Sequence, residues 1–319
     1  MENLLATPRN QPASTRSGPL EPQSGLAAAM TRAASKQTYY TIRFLADRAR
    51  RDDAYRAYAY FRWVDDRLDD AATPPAARAA FLARQQGLLD AGYRGQMPGG
   101  LAVEEQLLAE LIAGDTETGS SLRGYLGNMM AVMALDVHRR GRATSAAELA
   151  RHTDLLATAV SDALFHFIGH DEQPQRDAQR SLVVRGACTI HMLRDTYEDV
   201  ALGYVNVPAE YLARHGLAGD DFDAPAYRQW VRDRVALARS YFREGREHIA
   251  RLANARCRLA GYAYIARFEW LARAIERDQF RLRPAYPERK SAAALLWMAG
   301  RVLKSMQSAV SFSRSEHDR

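Results

Sequence analysis

Phe61-Arg62-Trp63-Val64-Asp65-Asp66-Arg67-Leu68-Asp69-Asp70 carries four carboxylates in ten residues. Asp65 and Asp69 stand one helical turn apart, as do Asp66 and Asp70, so on a helix each pair shares a face. Carboxylates stacked in this way repel one another unless a cation lies among them, and Arg62 shares the face of Asp65. Leu193-Arg194-Asp195-Thr196-Tyr197-Glu198-Asp199 repeats the pattern, with Asp195 and Asp199 at the same spacing and again beside an arginine. One such pair is common on a solvated helix. Two, each beside an arginine and each in an otherwise apolar helix, point to a site. The competing reading pairs Arg62 and Arg194 with the neighbouring aspartates in a structural ion network.

Around these stretches the chain reads as all-α. Alanine, leucine, arginine and glutamate dominate, apolar residues recur at helical spacing, and strand signals are nearly absent. Pro74-Pro75 ends the helix that begins near Arg51, and Gly92 to Gly100, Gly114-Asp115 and Gly119 mark loops. Gly169 to Pro174 closes a long apolar helix. Asn206-Val207-Pro208 reads as a helix start with the asparagine as cap, and Gly216 as its stop. Long helices are expected near 226–253 and 256–277, with a last one after Pro287. The expected organisation is a disordered tail over residues 1–30, a helical domain over 31–306 and a C-terminal tail over 307–319.

Composition narrows the function. The 319 residues are 47% hydrophobic and 26% charged, an ordinary globular balance, with a formal net charge of +6. Lys36, Lys290 and Lys304 are the only lysines, so the positive charge is arginine. Genome base composition explains that most simply; attraction to phosphates or to an anionic membrane surface is the functional alternative. No Lys/Arg block is dense enough for a nucleic-acid arm, so no nucleic-acid partner is expected. Cys188 and Cys257 sit in helical, apolar stretches without metal-ligand spacing and read as buried thiols of a reducing compartment. No secretory signal and no membrane-spanning run is visible, and a cytoplasmic protein is expected.

Paired carboxylates beside arginines suit one chemistry well. Magnesium prefers carboxylate and phosphate oxygens. Ions held this way neutralise a diphosphate leaving group, arginines add bidentate phosphate contacts, and apolar walls keep water from a carbocation.

At these residues the chain resembles the squalene/phytoene synthase family. Ala57-Tyr58-Ala59-Tyr60-Phe61-Arg62 with Asp65-Asp66 and Asp69-Asp70 is similar to the family's first aspartate-rich region, and Leu193 to Asp199 to its second. Gly203-Tyr204-Val205-Asn206-Val207-Pro208-Ala209-Glu210-Tyr211-Leu212 and His215-Gly216-Leu217 follow as the family's downstream segment does. The resemblance runs from about Ala34 to Val302. It implies a single-domain class I isoprenoid synthase bundle with a central active-site cavity. It further implies a prenyl transferase joining two allylic C15 or C20 diphosphates head to head. Asp65, Asp66, Asp69, Asp195 and Asp199 would hold magnesium, with manganese as the alternative ion. Asp65, Asp69, Asp195 and Asp199 form the catalytic set. Thr38, Tyr58, Arg62, Arg194 and Lys290 would contact diphosphate, and Asp136 resembles a further acidic position. A requirement for NADPH stays open, as do product, substrate length and oligomeric state. An apolar product motivates peripheral contact with the inner membrane face.

The sequence departs from the family pattern in the second motif and the central helix. His191 stands where asparagine is usual, Cys188 where glutamine is expected, and Thr158 and Ser161 where glycines are usual. His191 reads either as a satisfied core histidine or as a residue facing the cation. Two other functions therefore stay in play: ionisation of a single prenyl diphosphate with cyclisation or hydration, and a non-catalytic relative that binds lipid or serves in assembly.

Overall fold

The computed structural model describes residues 23–117, 120–169 and 178–317. Among them are twelve α-helices and three 3-10 turns, joined by one isolated bridge, Arg142 to Tyr204. The chain packs as two compact units. The first runs to Val137 and takes in the stretch from His166; the second covers His138–Phe165 and the chain from 178 onward.

The first unit holds α1 (Gln23–Ala34), α2 (Lys36–Leu45), α3 (Arg51–Asp69), α4 (Pro75–Tyr93), α5 (Val103–Gly114) and most of α6 (Ser121–Arg139). Helix α3 is its axis. Ala54, Tyr55, Ala57 to Phe61, Val64 and Leu68 are buried, so the helix is covered almost all round, chiefly by α1 and α5. A helix buried on every side needs apolar residues on every side, and the Ala-Tyr-Ala-Tyr-Phe run supplies them. Ser35 caps α2, its Oγ accepting from Thr38 N at 3.1 Å. Helix α1 begins at Gln23, inside the stretch expected as tail. Ala27 and Thr31 are fully buried, and Thr31 Oγ1 bonds the Ala27 carbonyl at 2.8 Å and reaches the Tyr55 carbonyl at 3.4 Å. Small residues let α1 lie close on α3, a packing reason that composition concealed. The rest of the expected N-terminal tail lies outside the described residues.

The second unit holds α7 (Ala146–Ile168, all but its last three residues), α8 (Leu182–Ala201), α9 (Ala209–His215), α10 (Pro225–Ala250), α11 (Ala255–Arg277) and α12 (Ala292–His317). Helix α8 packs on α10 and α11, over a core that includes Ile190, Leu193, Val231, Phe242 and Phe268. Gly186 permits the approach to α10, since a Cβ there would stand 2.7 Å from the Phe242 ring and 3.1 Å from the Ala238 carbonyl. Asn254 caps α11 through Arg256 N and Cys257 N, and Gly216 stops α9 at φ +62°. Helix α12 continues to His317, through the expected C-terminal tail.

Helix α7 runs unbroken past Thr158 and Ser161. Both bond back to the preceding turn, Thr158 Oγ1 to Asp154 O at 2.8 Å and Ser161 Oγ to Ala157 O at 2.7 Å. Neither cysteine is in a disulfide; Cys188 is buried, its thiol pushed up to about 12 by burial, and Cys257 is only half-buried. No helix among the described residues is long and apolar enough to cross a membrane.

Candidate active site

The first motif lies in the last two turns of α3. Asp65 is buried, Asp69 half-buried and Asp66 exposed. Burial pushes the Asp65 carboxyl well above the usual carboxylate range, and the charge of Asp69 adds to it. Arg62, whose Nη1 lies 3.6 Å from Asp65 Oδ2, acts the other way, while Asp66 and Asp136 raise it further. Arg62 spends most of its hydrogen bonding on Asp66, with Nε 3.2 Å from Oδ2 and Nη2 on Oδ1. The structure thus concentrates negative charge around Asp65, as the spacing predicts.

The Asp70 carboxylate, in contrast, is spent on the turn that follows. Helix α3 ends at Asp69, and Asp70 turns out to cap the following turn, Oδ1 accepting from Ala72 N at 3.0 Å and Oδ2 from Thr73 Oγ1 at 3.1 Å. Arg78 Nη2 donates to the Asp70 carbonyl at 3.0 Å.

Thr38 and Tyr58 belong to the same neighbourhood. Both are buried. Burial raises the Tyr58 hydroxyl, while Thr38, Arg62 and Ser35 pull the other way. The Thr38 hydroxyl is buried beside that of Tyr58.

In the second unit, α8 presents Arg194 and Asp195 on one buried surface. Arg194 Nε lies 2.5 Å from Asp195 Oδ1 and Nη2 2.5 Å from Oδ2. His191 Nε2 lies 2.9 Å from the same Oδ2. Burial alone would raise Asp195, but His191 and Arg194 outweigh it and hold the carboxyl far below its ordinary range. Burial, with Arg194 beside it, pushes His191 below its ordinary value against the pull of Asp195. The same Nε2 also lies against Arg194 Nη2, so Asp195 and Arg194 both meet one ring nitrogen. Arg194 Nη1 is buried without a hydrogen-bond partner. Phe268 flanks the imidazole, ring centroids 6.0 Å apart.

Asp199, one turn further on, is held differently. Asn206 Nδ2 donates to its Oδ2 at 2.6 Å, and Arg139 Nη1 donates to Asn206 Oδ1 at 2.8 Å. The expected role of Asn206 as helix cap is corrected here, because α9 starts at Ala209 with Pro208 as its cap residue. Arg139 and Asn206 are functional candidates that the sequence reading missed; nothing in the local pattern links either to Asp199. Lys290 is exposed at the end of the 3-10 turn Pro287–Lys290 and, among the described residues, makes no ion pair.

The donors suit magnesium unequally. Asp65 beside Asp69 is a crowded, buried carboxylate pair that a dication would relieve. Asp195 already has both oxygens engaged by Arg194 and His191. Among the described residues no three of His, Cys, Asp and Glu converge on one point. Magnesium commonly takes one or two carboxylates with water and substrate phosphates, and the pairs present fit that mode.

An all-helical chain with a paired-aspartate motif on each of two buried helices has the all-α isoprenoid synthase fold. Squalene synthase HpnC from Alicyclobacillus acidocaldarius superposes with a TM-score of 0.66 at 19% identity, covering 82% of this chain and 95% of that one. A dehydrosqualene synthase solved in complex with a ligand superposes at 0.64 and 14%, covering 92% and 97%. The squalene/phytoene synthase family model matches residues 31–293, and the chain belongs to that family. Presqualene diphosphate synthases are among its relatives. That of Rhodopseudomonas palustris is 27% identical over 184 residues, 58% of this chain and 62% of that one. That of Sinorhizobium fredii is 28% identical over 171 residues, 54% and 58%. The matched stretches thus span about three fifths of these curated relatives.

Proposed function

We propose that this protein is a magnesium-dependent prenyl transferase that condenses two allylic prenyl diphosphates head to head. C15 substrates and a cyclopropylcarbinyl diphosphate product are the preferred version, after the relatives named above. The observation that carries the reading is the Asp65 carboxyl, buried beside Asp69 and raised by that burial and that charge. A fold does not keep such a group for stability; a bound cation gives it a use.

Magnesium, when bound, supplies the charge that draws diphosphate off the first allylic carbon. Asp65 and Asp69 on α3 would hold such an ion, and so would Asp199 on α8. Arg62 keeps Asp66 on the outer side of α3 and leaves Asp65 inward. Arg194 offers a buried, unspent Nη1 donor to a phosphate oxygen, and the Thr38 hydroxyl would add a contact. Tyr58 would be an apolar wall whose ring face tolerates a cation. The double bond of the second substrate attacks the allylic cation, a proton leaves as the cyclopropane closes, and the second diphosphate stays on the product. One inorganic diphosphate and one proton are released per condensation.

A second reading has its own observation. His191 fills a carboxylate oxygen of Asp195, which alters the second motif. With that motif altered, one substrate would be ionised and the cation cyclised or captured by water. Magnesium with C15 and C20 diphosphates, singly and mixed, with and without NADPH, separates the readings by product mass. A C30 or C40 product supports condensation; a C15 or C20 alcohol or cyclic hydrocarbon replaces it with the second reading. No turnover at all would leave a lipid-binding or assembly relative. The long hydrocarbon chains of substrate and product also imply transient contact with a membrane surface, which flotation with liposomes measures.

A further inference from the structure

The end of α8 is clamped to the turn after α6. Gly141 N donates to the Gly203 carbonyl at 2.7 Å, and Arg140 Nε to the Leu202 carbonyl at 3.0 Å. Arg142 bridges Tyr204, whose N–H returns to the Asp199 carbonyl at 2.7 Å. Gly203 has φ +91°, and a Cβ there would stand 3.2 Å from Gly141 N, so only glycine suits the joint. The Arg139 guanidinium lies over the Tyr204 ring, 4.9 Å from its centroid. From that seat Arg139 Nη1 bonds Asn206 Oδ1, and Asn206 Nδ2 bonds Asp199 Oδ2. Arg139 and Asn206 are each 7% exposed.

We propose that Arg139 and Asn206 are positioning residues that set the Asp199 carboxylate for metal–diphosphate binding. This rests on Asp199 being a ligand, as the proposed function has it. A guanidinium only donates, so Asn206 must turn its oxygen to Arg139 and its amide N–H to Asp199. Rotation of the amide would set two donors against each other at one end and two acceptors at the other, so the orientation is locked. A cationic donor on the amide oxygen polarises the amide and strengthens its N–H toward the carboxylate. One oxygen of Asp199 is thereby fixed, and with it the plane of the group. The stacking on Tyr204 immobilises the arginine, so the relay is anchored in the clamp. Partners one step behind a metal ligand orient it, and losing them costs about 10–100-fold in metal affinity.

The full-length chain is titrated with Mn2+ in the presence of inorganic diphosphate, following the free-ion signal by electron paramagnetic resonance. Asn206→Ala and Arg139→Gln should weaken Mn2+ by about tenfold or more. They should also raise the Mg2+ concentration that gives half-maximal diphosphate release, with kcat recovering in part at saturating Mg2+. Arg139→Lys, which keeps a cationic donor, should fall between. Arg140→Ala removes a clamp bond without touching Asn206 and should bind Mn2+ as the parent does. Circular dichroism identifies variants that fail to fold, and Asn206→Ser replaces Asn206→Ala in that event. Parent-like Mn2+ binding by folded Asn206 and Arg139 variants would overturn the proposal, as would equal weakening in Arg140→Ala. Asp199→Asn separates the two levels. If it too binds Mn2+ normally, the assignment of Asp199 as ligand is what fails; if it alone is weakened, only the relay fails.

Discussion

His191 Nε2 stands 2.9 Å from Asp195 Oδ2, one helical turn away on α8, and lies against Arg194 Nη2 as well. The family's usual residue there, asparagine, could donate through its amide. We expect His191→Asn to keep the fold and to keep kcat/KM within about tenfold, because Arg194 still holds Asp195. His191→Leu removes a polar partner from a buried carboxylate, which costs about 1–3 kcal/mol; thermal melts should show the loss. The sign of the titration adds a second check. His191 is pushed below its ordinary value by burial and by Arg194, so its neutral form is favoured more than that of a free imidazole. The rate profiles of the parent and His191→Asn should therefore run parallel from pH 6.5 to 8. A rise near pH 7 in the parent alone would show that the imidazole titrates there.

Asp69 and Asp70 are neighbours with different work. Asp69 adds its charge to Asp65, whereas Asp70 closes the turn after α3 through Ala72 N and Thr73 Oγ1. Asp69→Asn should lower diphosphate release by about a hundredfold or more, in the range that loss of an electrostatic group at a reacting centre produces. Asp70→Ala should lose about 1 kcal/mol of stability, as an aspartate cap does, with the Mg2+ dependence unchanged. Activity assays beside melts measure both. Equal loss of activity in the two variants would place Asp70 in the site.

The helices themselves were legible from pattern. Tyr55 to Leu68 is apolar all round and polar only at Asp65, Asp66 and the arginines, and it folds as a buried helix with that carboxylate inside. That the Asp70 carboxylate is spent on Ala72 N and Thr73 Oγ1 was not legible, because spacing says nothing of where a helix ends. Asn206 was misread for a related reason. The same amide that caps a helix can bond a carboxylate, and which it does depends on Asp199 and Arg139, which converge only in three dimensions. Helix α1 escaped notice because Ala27 and Thr31 bury little surface of their own and gain their place by close approach to α3. The unlike state of the two motifs, one crowded with carboxylates and one already neutralised, follows from burial and from His191, and no spacing rule contains it.

Asp65 sets function against stability. Its carboxyl is raised by burial first and by Asp69 next, so its folded-state pKa lies above the unfolded value. Below the unfolded value the group is protonated in both states and costs nothing. As pH rises through the folded value it ionises in the native state, and the metal-free protein loses stability. We expect the parent, without metal, to melt at a lower temperature at pH 8 than at pH 5.5 by more than Asp65→Asn does. Asp65→Asn should melt higher than the parent at pH 8 in chelator, and it should lose the activity. Added Mg2+ with inorganic diphosphate should raise the parent's melting temperature and leave the variant's unmoved. A variant that melts lower than the parent in chelator would show that the carboxylate is a structural partner.

Glycines in two helices give opposite forecasts for one substitution. Gly87 is exposed in α4, and a Cβ there meets nothing within 4 Å. Gly87→Ala removes backbone freedom from the unfolded chain and should stabilise by about 0.5–1 kcal/mol. Gly186 in α8 has the same intrinsic preference to gain, but its Cβ would come 2.7 Å from the fully buried Phe242 ring and 3.1 Å from a backbone carbonyl of α10. A ring fixed in a packed core cannot yield, so α8 must move off α10 or strain, at a cost of about 1–3 kcal/mol. Helix α8 carries Arg194, Asp195 and Asp199, so the displacement should also reach the chemistry. Gly186→Ala is expected to lower both the melting temperature and the rate of diphosphate release, while Gly87→Ala raises the first and leaves the second alone. If Gly186→Ala melted as high as Gly87→Ala, the close approach of α8 to α10 would not be what requires a glycine there.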